Sequence, residues 1–282
     1  MLFEGKVRDT YPGDDPSTLV QVASNRISVF DVVLPDKIPG KGAVLTHMTE
    51  HWLTDTPVLA IMRNHLLDGS QLPDWAPEGC SVLVQKLDML PIEAIVRGYL
   101  TGSGWKEYQE TGKVSGIELP AGMQEMEKFP EPLFTPSTTA EVGHDENIDF
   151  ENMIEILGSR ELAEEVRDKS LEIYAAGAEY ALERGIILVD TKLEFGLDPV
   201  TEELMLADEV LTPDSSRFVK EEDYEVGKPP VSMDKQFVRD HVKSLGWDKT
   251  PPGPYLTKEV IEKTTGLYKD VSRRLTGASP AD

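Results

Sequence analysis

The segment Ile186-Ile-Leu-Val-Asp-Thr-Lys-Leu-Glu-Phe195, with a turn at Asp198-Pro199 and then Leu204-Met-Leu-Ala-Asp-Glu-Val210, decides how this chain is read. Two β-type runs separated by a turn signal predict a β-hairpin. Successive side chains on a strand alternate faces, so Asp190, Lys192 and Glu194 share one face while Thr191, Leu193 and Phe195 take the other. An apolar strand thus leaves the core and ends by presenting a cation between two carboxylates. Asp208 joins that face if the register pairs even residues with even. Such a set can hold Mg²⁺ and phosphate, because Mg²⁺ binds one or two carboxylates with phosphate oxygens completing its shell. A cross-strand ladder of salt bridges on a solvated face has the same pattern.

Working outward, Ser159 to Arg184 reads as a helix. Leu162, Val166, Ile173, Gly177 and Tyr180 follow helical spacing, Ser159 can cap the start, and Gly185 can end it. Residues from Met1 to about Lys86 alternate β-type runs (Leu19 to Ala23, Ile27 to Val33, Ser81 to Gln85) with Pro and Gly turn signals, and one helix is expected near Thr46 to His65. This predicts a small, mostly antiparallel lobe. A further β run, Ile92 to Arg97, leads into Gly98-Tyr-Leu-Thr-Gly-Ser-Gly104, near which the lobe boundary falls. The expected division is 1–87 and 88–282, in an α+β fold. Gly112 to Asn147, rich in Pro, Gly, Thr and Glu, reads as a long ordered loop or flap. Two helices, Met233 to Leu245 and Lys258 to Leu275, are expected near the end.

Composition narrows the function. A chain of 282 residues with 39% hydrophobic content can build a sizeable core. Its formal net charge of -23 repels nucleic acid and anionic membranes, so an anion site must gather its cations locally. The single cysteine, Cys80, excludes an internal disulfide, and no Cys/His cluster has zinc spacing. No apolar stretch has signal-peptide or membrane-spanning length. A cytoplasmic protein is expected.

Several segments gather the cations. Lys6 and Arg8, two apart beside Gly5, fit a strand edge or a cover over phosphates, although no Walker A pattern exists. Arg97 and Ser103 flank glycines that can form an anion nest, or simply a tight loop. Leu211-Thr-Pro-Asp-Ser-Ser-Arg217 sets hydroxyls, Asp214 and Arg217 in a loop, where Arg217 can grip phosphate or carboxylate in two-pronged fashion; ordinary turn chemistry reads similarly. Lys235 and Arg239, four apart on a helix, suit either surface pairing or an anionic pocket. His144 beside Asp145 and Glu146 suits a metal or plain solvation.

The ordered segments GKVRDTY, NRISVFD, GKGAVLT, PIEAIVRGYLTGSGW, FTPSTTAEVGHDENI, LVDTKLEFG, DEVLTPDSSRF and SMDKQFVRDHV resemble the SAICAR synthetase family over most of the chain. The resemblance implies a two-lobed fold, with a small β-rich lobe like that of protein kinases and a larger ATP-grasp-like α+β lobe. It implies a ligase of purine biosynthesis that joins CAIR, the aminoimidazole carboxylate ribonucleotide, to L-aspartate with ATP and Mg²⁺, as a monomer or homodimer. Carried over by motif, Lys6 and Arg8 cover the ATP phosphates, and the segment holding Gln85, Lys86 and Leu87 meets adenine. Glu194 and Asp208 hold Mg²⁺. Arg97, Ser103, Asp214 and Arg217 hold CAIR, Lys192 sits by the transferring phosphoryl group with Arg217 as its catalytic companion, and Lys235 and Arg239 lie near the CAIR phosphate or the aspartate carboxylates. Two departures stand out: Asn25 replaces a frequent Asp, and Leu193 replaces a frequent Phe. A small-molecule kinase and a catalytically silent nucleotide-binding regulator are the rival functions.

Overall fold

The central hairpin grows into a strand long enough to organise a sheet. In the computed structural model, which describes residues 1–139 and 146–280, strands β1 (Phe3–Glu4), β2 (Arg8–Pro12), β3 (Thr18–Ala23), β4 (Arg26–Val29) and β5 (Val32–Lys37) lead to helix α1 (Lys41–Thr54). There follow β6 (Ser81–Gln85), β7 (Asp88–Met89), β8 (Ile92–Tyr99), α2 (Gly102–Thr111), β9 (Lys113–Val114), β10 (Ile117–Glu118), β11 (Lys128–Phe134) and β12 (Ser137–Thr138). Helices α3 (Phe150–Leu157) and α4 (Arg160–Leu182) precede β13 (Ile186–Leu197), β14 (Leu204–Ala207), β15 (Ser216–Lys220), α5 (Gln236–Ser244) and α6 (Lys258–Thr276).

β1, β2, β3 and β6 form one antiparallel sheet. β13 is the axis of a second antiparallel sheet: its first part is flanked by β8 and β15, its last part by β14 and β7. One face of this sheet, including Ala94, Val96, Leu188, Leu193, Phe195 and Phe218, is buried with Ala163, Val166, Ile173 and Tyr174 of α4 and Val44, Leu45, Met48 and Trp52 of α1. Each such large side chain withdrawn from water contributes roughly 1.5–3 kcal/mol. α4 forms as its sequence signals predict, with the Ser159 hydroxyl accepting from the Leu162 N–H and Gly185 left-handed just beyond its end. A second core packs β4 and β5 (Ile27, Val29, Leu34) against Val238 and Val242 of α5 and Val260 of α6.

Five expectations about elements are corrected. The helix expected at Thr46 to His65 runs from Lys41 to Thr54, because Thr56 caps a separate 3-10 turn that opens on Pro57. Ile27 to Val33 is a hairpin, with Phe30 and Asp31 both at positive φ in a two-residue turn that suits the twist of its strands. The stretch 112–147 is no single loop, since it supplies β9 to β12. Gly98 belongs to β8, and a Cβ there would lie 1.8 Å from the Tyr174 hydroxyl, so it serves close packing and no nest. Finally, the helix expected from Met233 starts at Gln236, and Leu245 at its end is exposed.

Candidate active site

The face of the second sheet turned away from α4 floors a cavity of about 880 Å³, within the range of small-molecule sites. A β-bulge makes that floor possible. Register slips between Leu188 and Asp190, so Leu188 packs into the core while Asp190, two residues on, faces the cavity with Lys192 and Glu194. The alternation expected for the strand is the alternation found.

Neighbouring strands complete the floor by register. Asp190 lies opposite Arg97 on β8 and opposite Arg217 on β15, with Arg217 Nη1 at 2.6 Å and Arg97 Nη1 at 3.5 Å from its carboxylate. Arg97 also donates to the hydroxyls of Thr135 (3.0 Å) and Ser103 (3.3 Å). Ser103 sits in the first turn of α2, whose N-terminus favours an anion. Gly102 opens that helix with a positive φ, and a Cβ there would come 2.9 Å from the Arg217 guanidinium. Arg217 is therefore a strand residue, where a loop position was expected.

Lys192 lies between acids, with Nζ 2.8 Å from Glu93 and paired with Glu194. Burial would lower its pKa, but Glu194, Glu93 and Asp208 outweigh burial and hold the ammonium well above its ordinary range. Asp208 reaches this group by an unexpected route. The register sets Glu194 against Ala207, even against odd, so a continued ladder would turn Asp208 away. Instead β14 ends at Ala207, and Asp208 takes a φ of 55°, bringing its carboxylate to the cavity and into an ion pair with Arg8. Glu209 lies 3.7 Å from the same guanidinium. Lys6, half-exposed at the mouth, pairs with Asp31 at the β4–β5 tip.

Not every expected residue lines the cavity. Gln85 donates to Asp198 at 2.9 Å, the Lys86 N–H donates to the Ser17 carbonyl, and Leu87 is buried with Met205 and Ala207; none of the three lines the cavity, which Met89 just beyond them does. Asp214, Lys235 and Arg239 do line it. Asn25 uses its side-chain carbonyl to accept the Gly42 N–H at 3.0 Å, a bond that either Asn or Asp could make. Leu193 faces the core. His144 and Asp145 lie outside the described residues. Glu93, Lys41, Tyr268 and His65 were missed. Glu93 shares the parity of Arg97 on β8 and was legible in principle, and Lys41 stands in the GKGAVLT segment although no site role was assigned to it; Tyr268 and His65 arrive from remote elements with no local signal.

A family model described as SAICAR synthetase matches residues 1–254. The chain belongs to the SAICAR synthetase family. A phosphoribosylaminoimidazole-succinocarboxamide synthase of Xanthomonas campestris pv. campestris is 51% identical over 297 residues, covering 99% of this chain and 94% of the relative. A SAICAR synthase from Saccharomyces cerevisiae, solved in complex with SAICAR, superposes with a TM-score of 0.88 at 40% identity, covering 100% of this chain and 96% of that one. A SAICAR synthetase solved in complex with ADP gives a TM-score of 0.74 at 26% identity, covering 99% of both chains. Membership of the SAICAR synthetase family makes the chain a ligase of purine biosynthesis, with the α+β fold and antiparallel sheets of its relatives. Among the described residues, no helix is long and apolar enough to cross a membrane.

His65 offers a test of the site's burial. Burial lowers its pKa from 6.5 to about 4, against an opposing pull from Asp208 and with support from Arg8. The folded state therefore keeps the imidazole neutral while the unfolded chain binds the proton. Stability from this group is complete above pH 6.5 and is lost as pH falls towards 4, by on the order of 3 kcal/mol across the window. Thermal unfolding of His65→Gln should show a smaller fall between pH 7 and 4.5 than the parent protein; equal falls would contradict the assignment.

Proposed function

We propose that this cavity condenses CAIR with L-aspartate, using ATP, to give SAICAR, ADP and phosphate. The observation that carries the reading is Lys192 held between Glu93 and Glu194, with Arg8 and Asp208 on one side and Arg97, Asp190 and Arg217 on the other. That order suits a phosphoryl group transferred from an ATP side to a carboxylate side. The ADP and SAICAR complexes of the relatives support the same pair of ligands.

A carboxylate is a poor acyl donor. In the proposed route a CAIR carboxylate oxygen attacks the γ-phosphorus, the bond to ADP breaks, and an acyl phosphate forms. The aspartate amine then attacks the acyl carbon, phosphate leaves, and the amine loses a proton. The protein's part is to position and neutralise charge. Lys6 and Arg8 would cover the ATP phosphates, and Met89, with the Gln85 to Asp88 segment behind it, would lie towards adenine. Arg97, Ser103, Asp214 and Arg217 would hold CAIR, and Lys235 and Arg239 would hold its phosphate or the aspartate carboxylates.

The residues present fit Mg²⁺. Burial raises the Glu194 pKa, Lys192 opposes, and the nearby Asp208 charge raises it further. Asp208, against the cost of burial, is held below the usual carboxylate range by Arg8 and Lys192, so an ionised carboxylate stands beside one whose ionisation a divalent cation would favour. Among the described residues, no set of three or more His, Cys, Asp or Glu groups forms a metal cage. Mg²⁺ needs only one or two protein carboxylates when phosphate oxygens complete its shell, and bound there it would neutralise phosphate charge. We also read residues 1–87 as the ATP-covering lobe and 88–282 as the substrate and metal lobe of a cytoplasmic monomer or homodimer. The four-stranded sheet lies within the first range, although α1 packs into the large core.

An omission assay tests the function. ADP release with ATP, Mg²⁺, CAIR and L-aspartate is expected to collapse when either CAIR or aspartate is withheld. Sustained release without aspartate would instead mark a small-molecule kinase, and none with the full mixture would mark a silent regulator.

A further inference from the structure

The loop that carries Asp214 is fastened by two residues remote in sequence. Lys41, the first residue of α1 and fully buried, sets Nζ 2.6 Å from Asp214 Oδ2. The Tyr268 hydroxyl, from α6, donates to Asp214 Oδ1 at 2.6 Å. Tyr268 is 1% exposed, so two separate helices converge on one carboxylate whose residue lines the cavity. Burial would raise the Asp214 pKa, but Lys41, then Lys235, with hydrogen bonds from Lys41 and Tyr268, holds it well below the usual carboxylate range.

A buried ion pair is a poor source of stability, because desolvating both charges offsets much of their attraction. Orientation is the better explanation at the edge of a cavity. An ionised carboxylate offers about four acceptor sites, and Lys41 and Tyr268 use one on each oxygen, so at most one on each is left free for a donor that reaches this nearly buried side chain. Fixing both oxygens also fixes where those free sites point.

We propose that Lys41 and Tyr268 are positioning residues of the reaction, holding Asp214 as an oriented acceptor for a hydroxyl or amino donor of CAIR. This rests on the proposed function, and it adds two residues from α1 and α6 to the substrate site. Neither touches the reacting atoms.

The decisive variant is Tyr268→Phe, which keeps the ring and its packing and removes one donor. In steady-state assays the KM for CAIR should rise about tenfold, the size of one hydrogen bond to a charged group, while the KM values for ATP and L-aspartate stay within about twofold. kcat should fall less than the KM for CAIR rises, and the thermal unfolding midpoint should confirm a folded protein. Lys41→Met should raise the KM for CAIR further; if that variant fails to fold, Tyr268→Phe decides alone. An unchanged KM for CAIR in folded Tyr268→Phe, or an equal loss against all three substrates, overturns the proposal. Parent protein that releases no ADP with the full mixture would overturn the proposed function itself, whereas an active parent with an unaffected Tyr268→Phe overturns only the positioning role.

Discussion

Lys192→Met is expected to lower turnover by on the order of 10²-fold or more while the protein stays folded. The side chain stands on the cavity floor, on β13, with Glu93 across the sheet on β8 and Glu194 two residues along its own strand. Three nearby carboxylates keep the ammonium charged at any working pH, so it supplies a fixed positive charge where a phosphoryl group is proposed to move. Methionine preserves the length of the stem and deletes that charge, leaving Glu93 and Glu194 facing each other unbalanced. If the lysine acts on the transition state, kcat and kcat/KM for ATP should fall together. A rise in the KM for ATP with unchanged kcat would show instead that Lys192 only binds the ground state. Near-parental activity in a folded variant would remove it from the chemistry.

Asp208→Asn should have the next largest effect, with turnover falling about 10²-fold and the Mg²⁺ concentration for half-maximal activity moving upwards. The amide has nearly the same shape but no charge, so the hydrogen bonding around Arg8 can persist while the proposed metal site loses one of two carboxylates. Since Arg8 pairs with Asp208, the metal effect has to be separated from a disturbed arginine. Arg8→Met supplies the comparison: it should raise the KM for ATP and leave the Mg²⁺ requirement where it was. Should the two variants shift the Mg²⁺ requirement equally, Asp208 would be an anchor for Arg8 and no metal ligand. Titrating activity with MgCl₂ at fixed free ATP separates the two outcomes.

The floor of the site was legible because its pattern is local. Alternation along a strand follows from backbone geometry, so Asp190, Lys192 and Glu194 could be set on one face from sequence. The bulge at Val189 did not spoil this, because it falls before Asp190 and leaves the alternation from there onward intact. The same logic failed at Asp208. Its parity depends on a pairing register that sequence does not state, and its position is rescued by a left-handed backbone that only a surrounding fold can hold in a non-glycine residue. Arg217 was mislocated for a related reason: turn-forming residues before it suggested a loop, while pairing with Asp190 draws it into a strand.

Glycines show the same limit from another side. Gly98 and Gly102 looked alike in sequence, yet one makes room for Tyr174 and the other for Arg217. Which atom occupies the missing Cβ is a tertiary fact.

By itself the sequence determined the α+β class, the long α4 scaffold, the charged face of β13 and the family resemblance, all of which rest on periodicity or on ordered short motifs. Only the tertiary structure decided that Asp190 bridges Arg97 and Arg217, that Asp208 turns towards Glu194, and that Lys41 and Tyr268 meet at Asp214. The contacts of Asp190 and Asp214 join residues separated by 27 to 173 positions, and each of these features depends on register, a bulge or helix packing, which arise from the whole chain's burial of its core and leave no mark in any short stretch of residues.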